Sequence, residues 1–474
     1  MTRTNWDVIV IGAGAAGENA ADGVVQGGLS AVIVESELVG GECSYWACMP
    51  SKALIRSGLA LRAAKSVGGA REAVTGELDV AAVFARRDKF TSNWDDAGQV
   101  SWLESAGIDL LRGRGRLTGE KSVRVTTADG SLLEITANHA VVVSTGSAAL
   151  LPNVPGLAEA RPWTSREATS APSAPDSLLI IGGGVVGTEM ATAYASFGTR
   201  VTLVARSGLL GALEPFAGEL VATGLAALGV TILSGVSPTR ARRSGDEVVV
   251  ELDDGSEVTA SELLVATGRT PVTGDIGLDS IGLTPGDWIQ VDDTMRAPGF
   301  DWLYAVGDVT HRALLTHQGK YQARAAGDVI AARATGAPVH DEAWGAHVAT
   351  ADQAAVPQVT FTSPEVASVG LTVAAAEKAG YSIRTIDYDL GSVAGASLLS
   401  DGYEGRARMV VDESRRVLLG VTFVGPDVAE LLHAATIAVV GEVPIDRLWH
   451  AVPAYPTMSE IWLRLLEEYG RPTA

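Results

Sequence analysis

The sequence predicts an α/β protein with two Rossmann-like dinucleotide-binding units, and three observations carry that prediction. A short apolar run leading into a glycine turn and then a helix-prone stretch occurs twice, at Asp7 and again at Ser177. Further short apolar runs end in Thr-Gly or Gly-Asp turns. The chain is 474 residues long, 47% apolar and rich in glycine without being repetitive, which suits three or four globular α/β domains.

The first unit begins at "DVIVI", Asp7–Ile11, which reads as a strand buried on both faces. "GAGAAG" follows, with Gly12, Gly14 and Gly17, and then the helical "ENAADGVV". In this setting the glycines permit a tight turn and close backbone approach, and the helix start offers unpaired N–H groups to a pyrophosphate. A second strand, "SAVIVE", ends at Glu35, 23 positions after Gly12. A carboxylate there can accept both hydroxyls of an adenosine ribose.

Next comes "GGECSYWACMPSK", Gly40–Lys52, which holds the chain's only two cysteines, Cys43 and Cys48. Two readings compete: a pair of inert core thiols, or one redox-active disulfide. "CMPSKALIRS" reads as a helix start with Pro50 in its first turn, and a helix N-terminus lowers a thiol pKa. No metal centre is expected, because two thiols and seven scattered histidines do not make a ligand set.

The second unit repeats the first. "SLLIIGGGVVG" supplies a strand and Gly182, Gly184 and Gly187, "TEMATAYASFG" a helix, and "RVTLVA" the next strand. Ala205 stands 23 positions after Gly182, where an acid would repel a 2′-phosphate, and Arg206 follows. That substitution favours NADPH over NADH. Two nucleotide sites in one chain suggest a flavin and a nicotinamide placed to exchange a hydride. "VVVSTGS", "LLVATGRTP" and "WLYAVGDVT" add short strands whose turns carry Thr145, Gly146, Gly268, Gly307 and Asp308.

The formal charge of −20 disfavours nucleic acid and anionic membranes as partners. No apolar stretch reaches 18 residues, and the start runs directly into a strand with no leader pattern. A cytoplasmic enzyme is expected, in a compartment where a close cysteine pair is more often redox or metal-binding than structural.

With these residues in view, the stretch from Asp7 to Glu460 resembles the pyridine nucleotide-disulfide oxidoreductase family, whose familiar members are dihydrolipoyl dehydrogenase, glutathione reductase and mercuric reductase. The resemblance rests on both glycine fingerprints, Cys-x4-Cys-x-Pro-Ser-Lys, the Thr-Gly turns and "YAVGD". It implies an FAD-binding domain in two parts, 1–160 and 289–350, an NAD(P)-binding domain at 161–288, and a C-terminal α+β dimerisation domain at 351–474 that makes a homodimer. It also implies that Cys48 passes electrons between flavin and disulfide and that Cys43 meets the acceptor. Lys52 would lie beside the flavin, paired with Glu189, Asp308 would contact the flavin's ribityl chain, and Gly41 would lie in the FAD site.

One departure limits what the resemblance implies about substrate. The family places a histidine as acid/base near the C-terminus, and here "AVPAYPTMSE" puts Tyr455 at that position while Glu460 keeps its place. Tyrosine, with pKa about 10, is about 0.1% ionised at pH 7, roughly 4 kcal/mol short of acting as a base. It can still donate a proton, which suits reduction of an acceptor. His450, five residues upstream, is the alternative acid/base. Glu42 and the Tyr45-Trp46 pair depart from the family pattern too, and His317 in "LLTHQGKYQAR" is expected to be an interior histidine. The expected activity is passage of electrons from NAD(P)H through FAD and Cys43–Cys48 to a small disulfide, quinone or metal ion. The alternatives are a dihydrolipoyl dehydrogenase working in the opposite sense and a flavin-binding redox sensor.

Overall fold

The computed structural model of the chain describes residues 3–471. It contains two compact units, one formed by Met1–Pro50, Asp88–Leu150 and Gly268–Gln353, the other by Ser51–Arg87, Leu151–Thr267 and Ala354–Ala474. The chain passes from one to the other inside a single helix, Cys48–Lys65.

The first unit is organised by a seven-stranded sheet. Its central strands, Ala31–Glu35, Asn5–Ile11 and Leu132–Val143, run parallel. Val8, Ile9 and Val10 have no exposed surface, nor do Val141, Val142 and Val143, as continuous β-branched runs buried on both faces require. Burying each such side chain contributes about 1.5–3 kcal/mol. Leu132–Val143 is long enough to serve two partners: its first half pairs antiparallel with Ser122–Thr126, and its last residues pair parallel with Leu303–Ala305. That second pairing brings "AVGD" beside the first glycine turn. Helix Ala15–Gln26 packs against helix Thr316–Thr335 at two glycine-lined contacts: a Cβ on Gly319 would lie 3.4 Å from that of Ala16, and one on Gly23 would lie 3.3 Å from the Cα of Gly327. The two contacts occur in the same chain order, so the helices run side by side in one direction.

The second unit combines two layers of different type. A four-stranded parallel sheet is ordered Thr231–Ser234, Arg200–Ala205, Ser177–Ile181, Glu262–Val265. The C-terminal part is a five-stranded antiparallel sheet with Val417–Gly425, buried along its whole length, at its centre. Helices Leu432–Val440 and Ile461–Tyr469 cover it. Arg408 ties the two parts together, reaching Glu214 at 2.8 Å and Asp387 at 2.8 Å. Among the described residues, no helix is long and apolar enough to cross a membrane.

Candidate active site

Each glycine in the first turn has a separate reason. Gly12 has φ +102°, and a Cβ there would lie 2.4 Å from the Ser144 carbonyl oxygen. A Cβ on Gly17 would lie 2.0 Å from the Gly12 carbonyl oxygen, so only glycine lets the helix seat on the strand. Around the missing Cβ of Gly14 nothing lies within 4 Å. That open space, at the start of a helix with no side-chain cap, is what a pyrophosphate approaching the backbone needs. Glu35 stands at the tip of its strand as expected, where its two carboxylate oxygens accept the N–H groups of Ala13 and Glu37, each at 2.6 Å. Each oxygen keeps a second lone pair for a ribose hydroxyl. Thr145 adds a buried Oγ1 with no hydrogen-bond partner, next to Gly146 at φ +71°. Asp308 lies in the one-turn helix Gly307–Thr310, where it accepts from Ser147 Oγ and pairs with Arg269 at 3.6 Å. The Gly307 N–H is held at 2.8 Å by Gln322 Oε1. These residues, all in the first unit, fit an FAD.

The glycine pair before the cysteines fixes where the thiols lie. Gly40 and Gly41 both have positive φ, +112° and +58°. The Gly40 N–H donates to the Ala13 carbonyl at 2.8 Å, and a Cβ on Gly41 would meet the Gly14 Cα at 2.8 Å. The segment is thus pressed backbone to backbone onto the first glycine turn. Cys43 follows in the short helix Gly41–Tyr45, and Cys48 opens the helix Cys48–Lys65, with Pro50 in its first turn. The two sulfurs lie side by side, with the Cys43 thiol hydrogen-bonded to Cys48. Cys48 Sγ lies 3.3 Å from Oγ1 of Thr316, which itself opens the helix Thr316–Thr335.

Cys48 therefore sits at one helix N-terminus and touches the first residue of another, an environment that favours its thiolate. Cys43 is pushed well above the ordinary thiol range, chiefly by sharing its proton with Cys48, then by burial and by the Cys48 charge. Thr316 and Lys320 act in the opposite sense.

In the second unit Lys52 Nζ lies 2.7 Å from Glu189 Oε2, the pairing expected from the sequence. Glu189 is buried, and its other oxygen accepts the Phe361 N–H at 3.0 Å, while the Lys52 ammonium lies 4.9 Å from the Phe361 ring centre. The second glycine turn repeats the crowding of the first. A Cβ on Gly182 would lie 2.2 Å from the Ala266 carbonyl oxygen and one on Gly187 would lie 1.9 Å from that of Gly182, while Gly184 faces open space. Arg206 is exposed just past the strand that ends at Ala205, and Gly268, at φ +154°, belongs to the first unit. The site fits a nicotinamide dinucleotide in the same way.

Tyr455 is 77% exposed, and no hydrogen bond joins it to Glu460 among the described residues. Glu460 is buried, and its Oε2 has no hydrogen-bond partner. His450 is exposed. One expectation is corrected: His317 is not interior but exposed, because the first turn of its helix turns Gln318 and Gly319 inward instead. The sequence reading did not single out Thr316, Lys320 or Glu18. Glu18 carried the readable signal, an acid in the helical turn where an anion is to bind.

Two dinucleotide turns, a close thiol pair at a helix start and a C-terminal antiparallel sheet are the features of a flavoprotein disulfide reductase. The family model for pyridine nucleotide-disulphide oxidoreductases matches residues 6–329, and that for their dimerisation domain matches 356–465. The chain belongs to this family. It is 31% identical to a mercuric reductase of Streptomyces lividans over 97% of this chain and 95% of that one. It is 32% identical to a dihydrolipoyl dehydrogenase of Chlorobaculum tepidum, over 96% and 95%. Among solved structures it is similar to LpdA of Mycobacterium tuberculosis, with TM-score 0.82, 25% identity and coverage of 98% and 100%. The flavoprotein disulfide reductase RclA of Escherichia coli shares the fold, with TM-score 0.83, 22% identity and coverage of 98% and 99%. The protein is an NAD(P)H-dependent flavoprotein oxidoreductase with the cofactors of its family, FAD and NAD(P)H, and it carries the family's dimerisation domain.

Proposed function

We propose that the enzyme takes electrons from NADPH and delivers them through Cys48 and Cys43 to an acceptor that is a small disulfide, a quinone or a metal ion. The observation that carries this reading is the adjacency of the two thiols: Cys43 is hydrogen-bonded to Cys48, and Cys48 stands at a helix start 3.3 Å from Thr316. FAD and NADPH supply the hydride chemistry when bound. Gly12, Gly14, Gly17, Glu35, Gly41, Thr145, Gly146, Gly268, Gly307 and Asp308 would hold the first, and Gly182, Gly184, Gly187 and Arg206 the second. Arg206, with Ala205 where an acid would repel a 2′-phosphate, supports NADPH over NADH. Lys52 is held in place by Glu189 at 2.7 Å. The assignment divides the chain into FAD-binding parts at 1–160 and 289–350, an NADPH-binding part at 161–288 and a dimerisation part at 351–474. It also places the chain in the cytoplasm as a homodimer.

For a disulfide acceptor, Cys43 gives up its proton as it attacks one sulfur, forming a mixed disulfide and releasing one thiol, which carries that proton away. Cys48 then attacks the Cys43 sulfur, releasing the other half as a thiolate and re-forming the Cys43–Cys48 bond. Tyr455 and Glu460 are placed in the proton supply of this step, Tyr455 as a donor rather than a base, which favours acceptor reduction over dithiol oxidation.

The reading is tested by anaerobic treatment of the oxidised holoenzyme with NADPH, followed by alkylation and mass analysis. Labelling of both Cys43 and Cys48 only after NADPH is the expected result. Equal labelling with and without NADPH would remove the dithiol from the electron path. Rapid NAD reduction by dihydrolipoamide, undiminished in Tyr455→Phe, would overturn the direction assigned here.

A further inference from the structure

Thr316, which touches Cys48, shares its helix with Lys320, and Glu18 stands on the neighbouring helix. Thr316 and Lys320 lie four residues apart, on one face of the helix that touches Cys48. Lys320 exerts its charge on Cys43 and also on Glu18. Glu18 lies in the first turn of the neighbouring helix, level with Lys320, because Ala16 meets Gly319 and Gly23 meets Gly327 along the parallel pair. Its Oε1 is buried with no hydrogen-bond partner. Burial pushes the Glu18 carboxyl up to about 7, against the lowering pull of Lys320, and Glu35 at the end of its strand pushes the same way as burial. Tyr45, on the helix that carries Cys43, also feels Glu18 and is pushed up to about 12, mainly by burial.

We propose that Lys320 and Glu18 are positioning residues for the dithiol: Lys320 supplies the positive charge that favours the Cys43 thiolate, and Glu18 sets how much of that charge reaches the sulfur. When Glu18 is ionised it competes with Cys43 for Lys320, and when it is neutral the full ammonium charge acts on the thiol. The pair thereby supplies, from within one chain, part of the electrostatic help that Tyr455 cannot give as a base. The inference rests on the dithiol reading above.

The test is the rate at which iodoacetamide alkylates Cys43 in Cys48→Ser holoenzyme, measured from pH 6 to pH 8. This background isolates one thiol and needs no electron transfer, so its outcome is independent of the NADPH-labelling experiment. Lys320→Met is expected to slow labelling at pH 8 about tenfold, the effect of roughly one unit in thiol pKa. Lys320→Arg, which keeps the charge, is expected to restore the rate. Glu18→Gln is expected to speed labelling about threefold at pH 8 and to converge on the parent at pH 6, where Glu18 is already neutral. Rates within twofold for Lys320→Met and the parent, or equal slowing in Lys320→Arg, would overturn the role of Lys320. A Glu18→Gln ratio that does not change with pH would overturn that of Glu18.

Discussion

The two glycine turns, one in each compact unit, are the same device built from different neighbours. In both, the first and third glycines are closed off by carbonyl oxygens and the middle one faces open space. They differ at three points. After the first glycine comes Ala13 in one turn and Gly183 in the other, where a Cβ would meet the Gly208 carbonyl at 2.6 Å because the chain folds back as far as Leu210. At the end of the following strand stands Glu35, bonded to Ala13 N–H, against Ala205 with Arg206 beyond it. After the third glycine stands Glu18, with an orphan oxygen, against Thr188, whose hydroxyl is satisfied by the Gly184 carbonyl at 3.0 Å. The shared features suit a pyrophosphate, and under the proposal above the differing ones suit what each nucleotide carries beyond it.

The comparison breaks most severely at the crowded glycines. Gly17→Ala would force a Cβ to within 2.0 Å of a backbone oxygen, and Gly187→Ala to within 1.9 Å. Each is expected to cost about 3 kcal/mol locally. Gly17→Ala should be purified without flavin absorbance, whereas Gly187→Ala should keep its flavin and lose only its reduction by NADPH. Identical cofactor losses in the two variants would end the assignment of one nucleotide to each turn.

A smaller effect is expected at Glu18. Its carboxyl lies above the ordinary range in the folded chain, so its contribution to stability is full in acid and is lost as pH rises from about 4.5 through about 7. Glu18→Thr, which copies Thr188, should therefore raise the melting temperature at pH 8 and leave it unchanged near pH 4.5, a difference on the order of 2 kcal/mol. Equal shifts at both pH values would show that Glu18 is not held neutral by its surroundings.

Arg206→Ala should raise KM for NADPH about tenfold with little change in kcat, and leave KM for NADH unchanged. Steady-state kinetics with both nucleotides would check this, and equal losses for the two would remove the contact with the 2′-phosphate. The smallest effect belongs to the open positions: Gly14→Ala and Gly184→Ala should each shift folding stability by less than about 0.5 kcal/mol without nucleotide, since a Cβ there meets nothing. Each should still weaken binding of its own nucleotide, measurable by titration.

Features encoded by short spacing were legible in the chain. Both glycine turns, the strands before them and the helix beginning at Cys48 follow from periodicity and from residue types with strong local preferences. The Lys52–Glu189 pair, 137 residues apart, was reached through the family resemblance rather than through any local rule. Thr316 escaped notice for the same physical reason: its contact with Cys48 spans 268 residues and depends on how two helices end, which no window of sequence contains. His317 was misjudged because a histidine among small and apolar residues reads as interior, yet its helix turns neighbouring Gln318 and Gly319 inward.

Main-chain and side-chain bonds together anchor the cysteine-bearing segment, with Gln99 donating to Ser44 Oγ at 3.0 Å and Trp94 Nε1 to the Tyr45 carbonyl at 3.2 Å. Gly40 bonds through its amide to Ala13, Gly41 through its amide to Leu38, and both Trp46 and Ala47 donate to the Glu42 carbonyl. Gly40 and Gly41, both at positive φ, are the two places in the segment where a side chain would push the sulfurs away from the first glycine turn. An engineer seeking new acceptors for this scaffold would leave Gly40 and Gly41 alone and begin elsewhere.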